Sequence, residues 1–260
     1  MQNSGISSLA THSTMPSPAE APRSRFELQG RSWRADPRID AVRRDLADVR
    51  LAGRIFAPHY SRAEPLYAVT ASPVRAARAK DSPVLSEILP GERFELLELS
   101  SEYGWGICVA DGSVGYVAAA ALSETAPDVS GATDSTTDKG SDKGSDFVAI
   151  AEAQIGAPAK PGGRSPAGFN CTGLVFYALA GAGRQCPRFC DLQRSQLGSA
   201  LAEDAALERS DLIFFDDHVA IMVDGDNAVH VTAKEVVREP LADICTSGSY
   251  GDIVARRRMA

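Results

Sequence analysis

At 260 residues, 44% hydrophobic and 23% charged, the chain holds enough apolar material for more than one core and suits two modest domains better than one large one. A formal charge of -7 argues against a nucleic-acid partner, because phosphate-backbone binding rests on clustered Lys and Arg. Cys108, Cys171, Cys186, Cys190 and Cys245 share no repeated spacing and so read as free thiols, and no stretch approaches the roughly 20 apolar residues of a membrane span.

Residues 1–25 are rich in Ser, Pro, Thr and Ala with few large apolar groups, which predicts a disordered arm. They also lack the apolar core of a secretory signal. The expected location is therefore cytoplasmic, with periplasm or cell wall reached only by a non-standard export route. Residues 26–65 read as an N-terminal helical segment. Asp36 stands as N-cap, Pro37 at the first helical position, Ile39, Val42, Leu46 and Val49 form a stripe, and Gly53 is the stop.

From residue 66 to 122 the pattern changes to short alternating runs, "YAVTASPVRAA", "GERFELLEL", "WGICVA" and "VGYVAAAAL", which predict a small barrel of about five strands. Trp105 and Tyr116 read as packing residues of that barrel. Residues 123–145 repeat "DKGS" and read as a flexible linker. Residues 146–260 form a second globular unit: a helix near Phe147–Ile155, a Gly-rich loop, a helix from Cys171 and then strands. Gly162 and Gly163 are too few for a phosphate loop, and Arg256, Arg257 and Arg258 read as a solvated tail.

In "GFNCTGLVFYALAGAG" the apolar face Leu174, Val175, Ala178, Leu179, Ala182 ends at Gly183, so Cys171 occupies the first helical turn. Peptide dipoles there favour a thiolate and lower the thiol pKa, whereas a buried filler is the ordinary alternative. A thiolate nucleophile wants an imidazole. His12 lies in the arm and His59 in a Pro-flanked connector, which leaves His218 and His230 in the strand-like runs "HVAIMVDG" and "NAVHVTA". If Val223 and Asn227 close a three-residue loop, His230 opposes Ala220 and shares the face of His218; a two- or four-residue loop separates them. Cys186 and Cys190 form a C-x₃-C pair without a matched second pair and read as structural thiols rather than metal ligands.

Leu89-Pro90-Gly91-Glu92 ahead of a strand, Gly104-Trp105-Gly106 and Gly115-Tyr116-Val117 resemble a bacterial SH3-like domain over residues 66–122. In series, "GFNCTGLVFYALAGAG", "PRFCDLQ", "SDLIFF" and "HVAIMVDGDNAVH" resemble the NlpC-type family of bacterial cell-wall cysteine peptidases over residues 146–260. The resemblance implies an α+β fold, a papain-like hydrolase domain preceded by a small all-β SH3-like barrel. It implies hydrolysis of a γ-D-glutamyl-diaminopimelate type amide in peptidoglycan stem peptides. Cys171 would be nucleophile, His218 base and His230 the group orienting His218, and substrate would be contacted by Asn170, Thr172, Arg188 and Gln193. Peptidoglycan or murein peptide fragments are the expected partners, and no cofactor or metal is implied.

Ala159 and Pro161 stand where the family usually has Tyr and then Trp, so a hydroxyl near the oxyanion is replaced by a methyl group. Asn170 stands for the usual Asp, Ser210 for the Gly before Asp211, and Cys190 for a frequent Ser. These departures imply the alternative of a murein- or peptide-binding protein whose hydrolysis is weakened or lost.

Overall fold

In the computed structural model, residues 34–128 and 146–259 are described. The expected arm at residues 1–25 and most of the expected linker lie outside them. From Ala35 onward the described residues cluster as one compact unit of α+β class, its N-terminal part mostly sheet.

The N-terminal stretch is not the helix that Asp36, Ile39, Val42, Leu46 and Val49 suggest. It runs as a turn, a short strand β1 (Leu46–Asp48) and a 3-10 turn at Val49–Leu51, and β1 pairs in parallel with β2 (His59–Ser61). Ile39 and Val49, meant for the buried stripe, are 38% and 45% exposed. Long-range partners win over local periodicity. The Arg43 guanidinium lies 4.4 Å over the Trp105 ring and bonds Glu98 at 2.6 Å, Arg50 bonds Glu95 at 2.6 Å, and Val114 N–H donates to Arg38 O. An isolated helix of this length is marginal in water, so a sheet surface that offers these contacts lays the chain across it instead.

That surface belongs to a seven-stranded antiparallel sheet, where about five strands were expected. Its strands are β3 (Glu64–Ala68), β4 (Ser72–Arg75), β5 (Val84–Ile88), β6 (Arg93–Leu99), β7 (Tyr103–Cys108), β8 (Val114–Ala118) and β9 (Leu122–Ser123), in the order β5-β4-β8-β7-β6-β3-β9. Period-two alternation buries Val74, Ile88, Phe94, Cys108 and Val117 on one face, and Trp105 packs with Ala41, Leu97 and Val114 on the other. Ser123, the first residue of the expected linker, is still in the sheet, opposite Tyr67.

The C-terminal part begins with α1 (Phe147–Glu152), a small hairpin β10 (Arg164–Ser165) and β11 (Gly168–Phe169), then α2 (Cys171–Gly181) and α3 (Cys190–Gln196). Five strands and a helix follow: β12 (Ser199–Ala200), β13 (Asp211–Phe214), β14 (Val219–Met222), β15 (Asn227–Val231), β16 (Val236–Pro240) and α4 (Leu241–Thr246). The last strand, β17 (Ala255–Arg258), inserts between β12 and β13, so Arg256–Arg258 is not a tail; Arg258 bonds the buried Asp211 at 2.8 Å. Val219, Ile221, Val229 and Val231 face α1 and α2, while Ala220, Met222 and Ala228 pack with Ile244 of α4. Ser210 has φ 79°, the left-handed region that favours glycine, at the position where the resemblance has glycine.

Charged side chains weld the two parts together. Arg164 Nε donates to Glu87 O at 3.0 Å and lies 3.2 Å from Asp111, and its Nη2 bonds Glu92. Lys160 bonds Glu87, whose Oε1 also accepts from Arg164 N–H and Ser165 Oγ at 2.8 Å each. Arg188 Nε donates to Ser86 Oγ at 3.0 Å, and Ser86 in turn bonds Asp111. Three cations thus meet three carboxylates in a largely buried seam.

Candidate active site

Asn170 initiates α2. Its backbone is extended, and its Oδ1 accepts from Gly173 N–H at 2.9 Å, which leaves Cys171 as the first helical residue. The Gly-rich loop presses on this turn: Asn170 N–H donates to Gly163 O, and a Cβ on Gly173 would stand 1.9 Å from that same oxygen. Only glycine allows the loop so close.

The register of β14 and β15 decides where the histidines stand. Ile221 opposes Val229, Met222 opposes Ala228, and Val223 N–H donates to Asn227 O, so the loop has three residues and His230 falls opposite Ala220. Both histidines therefore share a face, and His218 Nε2 lies 2.9 Å from His230 Nδ1. His230 Nε2 lies 2.7 Å from Glu239 Oε1 on β16. An ionised carboxylate only accepts, so His230 Nε2 carries the hydrogen and Nδ1 is bare. His218 Nε2 must then donate, which leaves His218 Nδ1 as the basic atom.

Cys171 meets this pair at the ends of the strands. Its Sγ–H points to Asp217 O at 3.7 Å, and Cys171 and His218 line one cavity of about 240 Å³ together with Ala159. Ala159 contributes a methyl group and no donor to that wall. Cys171 also lines a second cavity of about 350 Å³ with Leu85 of the N-terminal sheet, Arg194, Asp216 and Asp217.

Electrostatics overturn one expectation. Burial pushes the Cys171 thiol above its ordinary pKa, and the N–H groups of Val219, Thr172 and Cys171 pull it back only in part. Burial first, and then repulsion from His230 when that ring is protonated, bring His218 down to about 3; burial also lowers His230, against the pull of Glu239. The resting pair is accordingly a neutral thiol and a neutral imidazole, not the thiolate that helix dipoles alone suggest.

A consequence for stability follows by linkage. Between pH 6.5 and about 3 the unfolded chain binds a proton at position 218 that the folded chain refuses, so stability falls as pH drops through this window. Urea unfolding at pH 5.0, 5.75 and 6.5 is expected to show a free energy rising with pH. His218→Gln should remove up to one proton's worth of that slope, and an unchanged slope would refute the assignment.

Of the four residues expected to contact substrate, Asn170, Thr172 and Arg188 line the 350 Å³ cavity but are bonded inward. Arg188 donates to Thr172 Oγ1 at 2.6 Å, Asn170 Oδ1 at 3.0 Å and Gly162 O at 2.8 Å. Arg188 is 1% exposed and Gln193 is 0% exposed. Gln193 Nε2 donates to Thr172 O and Pro187 O, so this fully buried residue braces the Cys171 turn instead of lining a cavity there. Arg188 braces the same turn while reaching Ser86 of the N-terminal sheet.

Glu239 and Tyr250 were missed. Glu239 lies two residues past Val237, which opposes His230, so strand parity carried its signal. Tyr250 stacks on the His218 ring at 4.0 Å and 19° and meets His230 edge-on at 5.6 Å, yet its loop gives no local pattern. Burial also raises three other thiols: Cys186 and Cys190 are each pushed up to about 12 and Cys108 well above its ordinary value, while Cys245 is exposed.

Residues 156–252 match the profile of the NlpC/P60 family. Similar solved structures include NlpC2 from Trichomonas vaginalis, 16% identical over 75% of this chain and 72% of that one, with a TM-score of 0.39. An NlpC/P60 family protein from Bacillus cereus ATCC 10987 is 21% identical over 75% of this chain and 63% of that one, with a TM-score of 0.40. The peptidoglycan hydrolase RipB from Mycobacterium tuberculosis is 30% identical over 37% of this chain and 57% of that one, with a TM-score of 0.34. The chain thus spans less than two thirds of the Bacillus and Mycobacterium proteins. No curated protein sequence matches it.

Proposed function

From the premise that residues 156–252 are a domain of the NlpC/P60 family, we propose that this protein is a cysteine peptidase of peptidoglycan stem peptides, cleaving an amide of the γ-D-glutamyl-diaminopimelate type. The observation that carries the reading is the relay His218, His230, Glu239 ending at the cavity that Cys171 lines.

In this mechanism the amide carbonyl enters beside Cys171. The thiol proton passes to His218 Nδ1 as sulfur attacks, and His230 with Glu239 stabilises the imidazolium that forms. The backbone N–H of Cys171 supports the oxyanion. His218 returns the proton to the leaving amine, and water then releases the thioester with His218 again as base. Tyr250 fixes the ring plane of His218 throughout.

A second reading, a murein-binding protein with little hydrolysis, is favoured by Ala159, which gives the cavity wall no hydroxyl. Purified sacculi incubated with the protein and with Cys171→Ala separate the two. New muropeptide termini with the native chain alone are the expected result. Binding without new termini for either chain would replace the first reading by the second.

A further inference from the structure

Rings wall the imidazole of His218. Tyr250 lies nearly parallel to it, with 4.0 Å between centroids and 19° between planes, Phe215 stands tilted at 6.0 Å, and His230 meets it edge-on at 5.1 Å. Phe215 and His230 are buried in the sheet, whereas Tyr250 comes from the loop after α4 and is half-buried. His218 is only 6% exposed, and the stacked Tyr250 ring covers one of its faces.

The loop is shaped to deliver that ring. Gly248 and Gly251 flank Tyr250 with φ of 64° and 74°, the left-handed region that favours glycine. Ser247 ties the start of the loop to α4, its Oγ donating to Ile244 O at 2.8 Å. A Cβ on Gly251 would stand 2.9 Å from Asp216 Oδ2, so the far end lies against the residue two before His218. Tyr250 also packs on the apolar cluster of Ile213, Phe215, Ala220, Met222 and Ile244. A flat ring covers the face of an imidazole and leaves free the edge that carries its nitrogens. Here Nε2 keeps its bond to His230, and His218 still lines the cavity at Cys171.

We propose that Tyr250, beyond holding the ring plane of His218, is the water shield that sets the acid limit at which His218 can act as base. The role as base rests on the peptidase reading; the shield itself does not. The titratable and charged groups around His218 are Cys171 of α2, Cys190 of α3, His230 of β15 with Glu239 of β16 behind it, and Asp216 and Asp217 before it in the chain. Lys160 shares the cavity, its ammonium paired with Glu87. His230 opposes an imidazolium only when itself protonated, and the carboxylates favour one. The main opposition is therefore lost hydration, to which a ring stacked on the imidazole face contributes directly.

Histidine-ring NMR titration of the full chain tests the shield without reference to turnover, His218→Gln identifying the His218 signal. In the native protein that signal is expected to stay still from pH 7.5 down to 4.5. Tyr250→Ala and Tyr250→Thr both remove the ring, so either suffices if the other does not fold. Each should bring the midpoint up into this range, a gain in proton affinity of about tenfold or more, whereas Tyr250→Phe should titrate as the native chain does. A native midpoint near 6.5, an unmoved midpoint without the ring, or an equal rise in Tyr250→Phe would overturn the shield. With murein peptides, the ringless variants should gain an acid limb in kcat/KM at the NMR midpoint, and Tyr250→Phe should restore the native shape of the profile. A loss that is equal at every pH would reduce Tyr250 to packing and overturn the proposal. If the native chain cleaves nothing while the midpoints move as expected, the shield stands and the peptidase reading falls.

Discussion

Arg164→Met is expected to lower the melting temperature by on the order of 10 °C in scanning calorimetry. Arg164 is 4% exposed and reaches from β10 into the N-terminal sheet, where it touches Glu87 O, Glu92 and Asp111. Burial alone would lower its pKa, but Asp111 and Glu92 hold it above its ordinary value, so the cation is kept charged by the partners it neutralises. Removing one side of such a pair strands buried carboxylates and costs about 3–5 kcal/mol, which is 2–4 °C per kcal/mol for a folded unit of this size. Burial already pushes Glu92 up against the pull of Arg164, so Glu92 should take up a proton in the variant. The double variant Arg164→Met with Glu92→Gln should recover part of the loss. A shift below about 2 °C would show that the seam holds nothing together.

That seam changes what the N-terminal sheet is for. A linker of 23 residues permits docking without requiring it, yet Arg188 ties Ser86 directly to Asn170 and Thr172 on either side of Cys171. Gly162, with φ 68°, lies so close to β5 that a Cβ would stand 2.6 Å from Val84 Cγ1. The sheet therefore acts as a wall and brace of the Cys171 turn. Nothing local in "SPVLSEILPGE" announces this, because Ser86, Glu87 and Glu92 acquire their partners only when residues 72–102 positions away arrive.

What the sequence made legible was what local chemistry decides. Gly183 as the stop of α2 placed Cys171 in its first turn, and strand alternation made the shared face of His218 and His230 depend on one loop length, which the structure gives as three residues. Where partners are distant the reading went astray. The stripe from Ile39 to Val49 has helical spacing, but Glu95, Glu98 and Trp105 hold that segment extended. Arg258 lies 47 residues from the Asp211 that draws it into a strand. The Cys171 thiol was judged from dipoles of its own helix, whereas its pKa is ruled by burial, which the whole tertiary structure creates. Arg188 and Gln193 look like polar groove residues in "PRFCDLQ" and are buried for the same reason.

The largest effect of all is expected at His218, where replacement by Gln should lower kcat by roughly 10³–10⁴-fold, the scale of removing the base from a nucleophile that cannot ionise unaided. Here the thiol is held above its usual pKa, so no standing thiolate covers for a missing base. On the proposed mechanism proton transfer and attack then occur together, and the native protein should show a normal solvent deuterium isotope effect on kcat/KM. The acid side of the profile follows from the same shift. With His218 down to about 3, the base stays unprotonated well below pH 6.5, and kcat/KM should hold level to about pH 4 in measurements short enough to precede acid unfolding. His230→Asn should cost less than His230→Leu, because only Asn can still accept from His218 Nε2. An acid limb near pH 6.5, with no isotope effect, would show instead that a charged pair forms before attack and that the neutral relay through Glu239 is wrong.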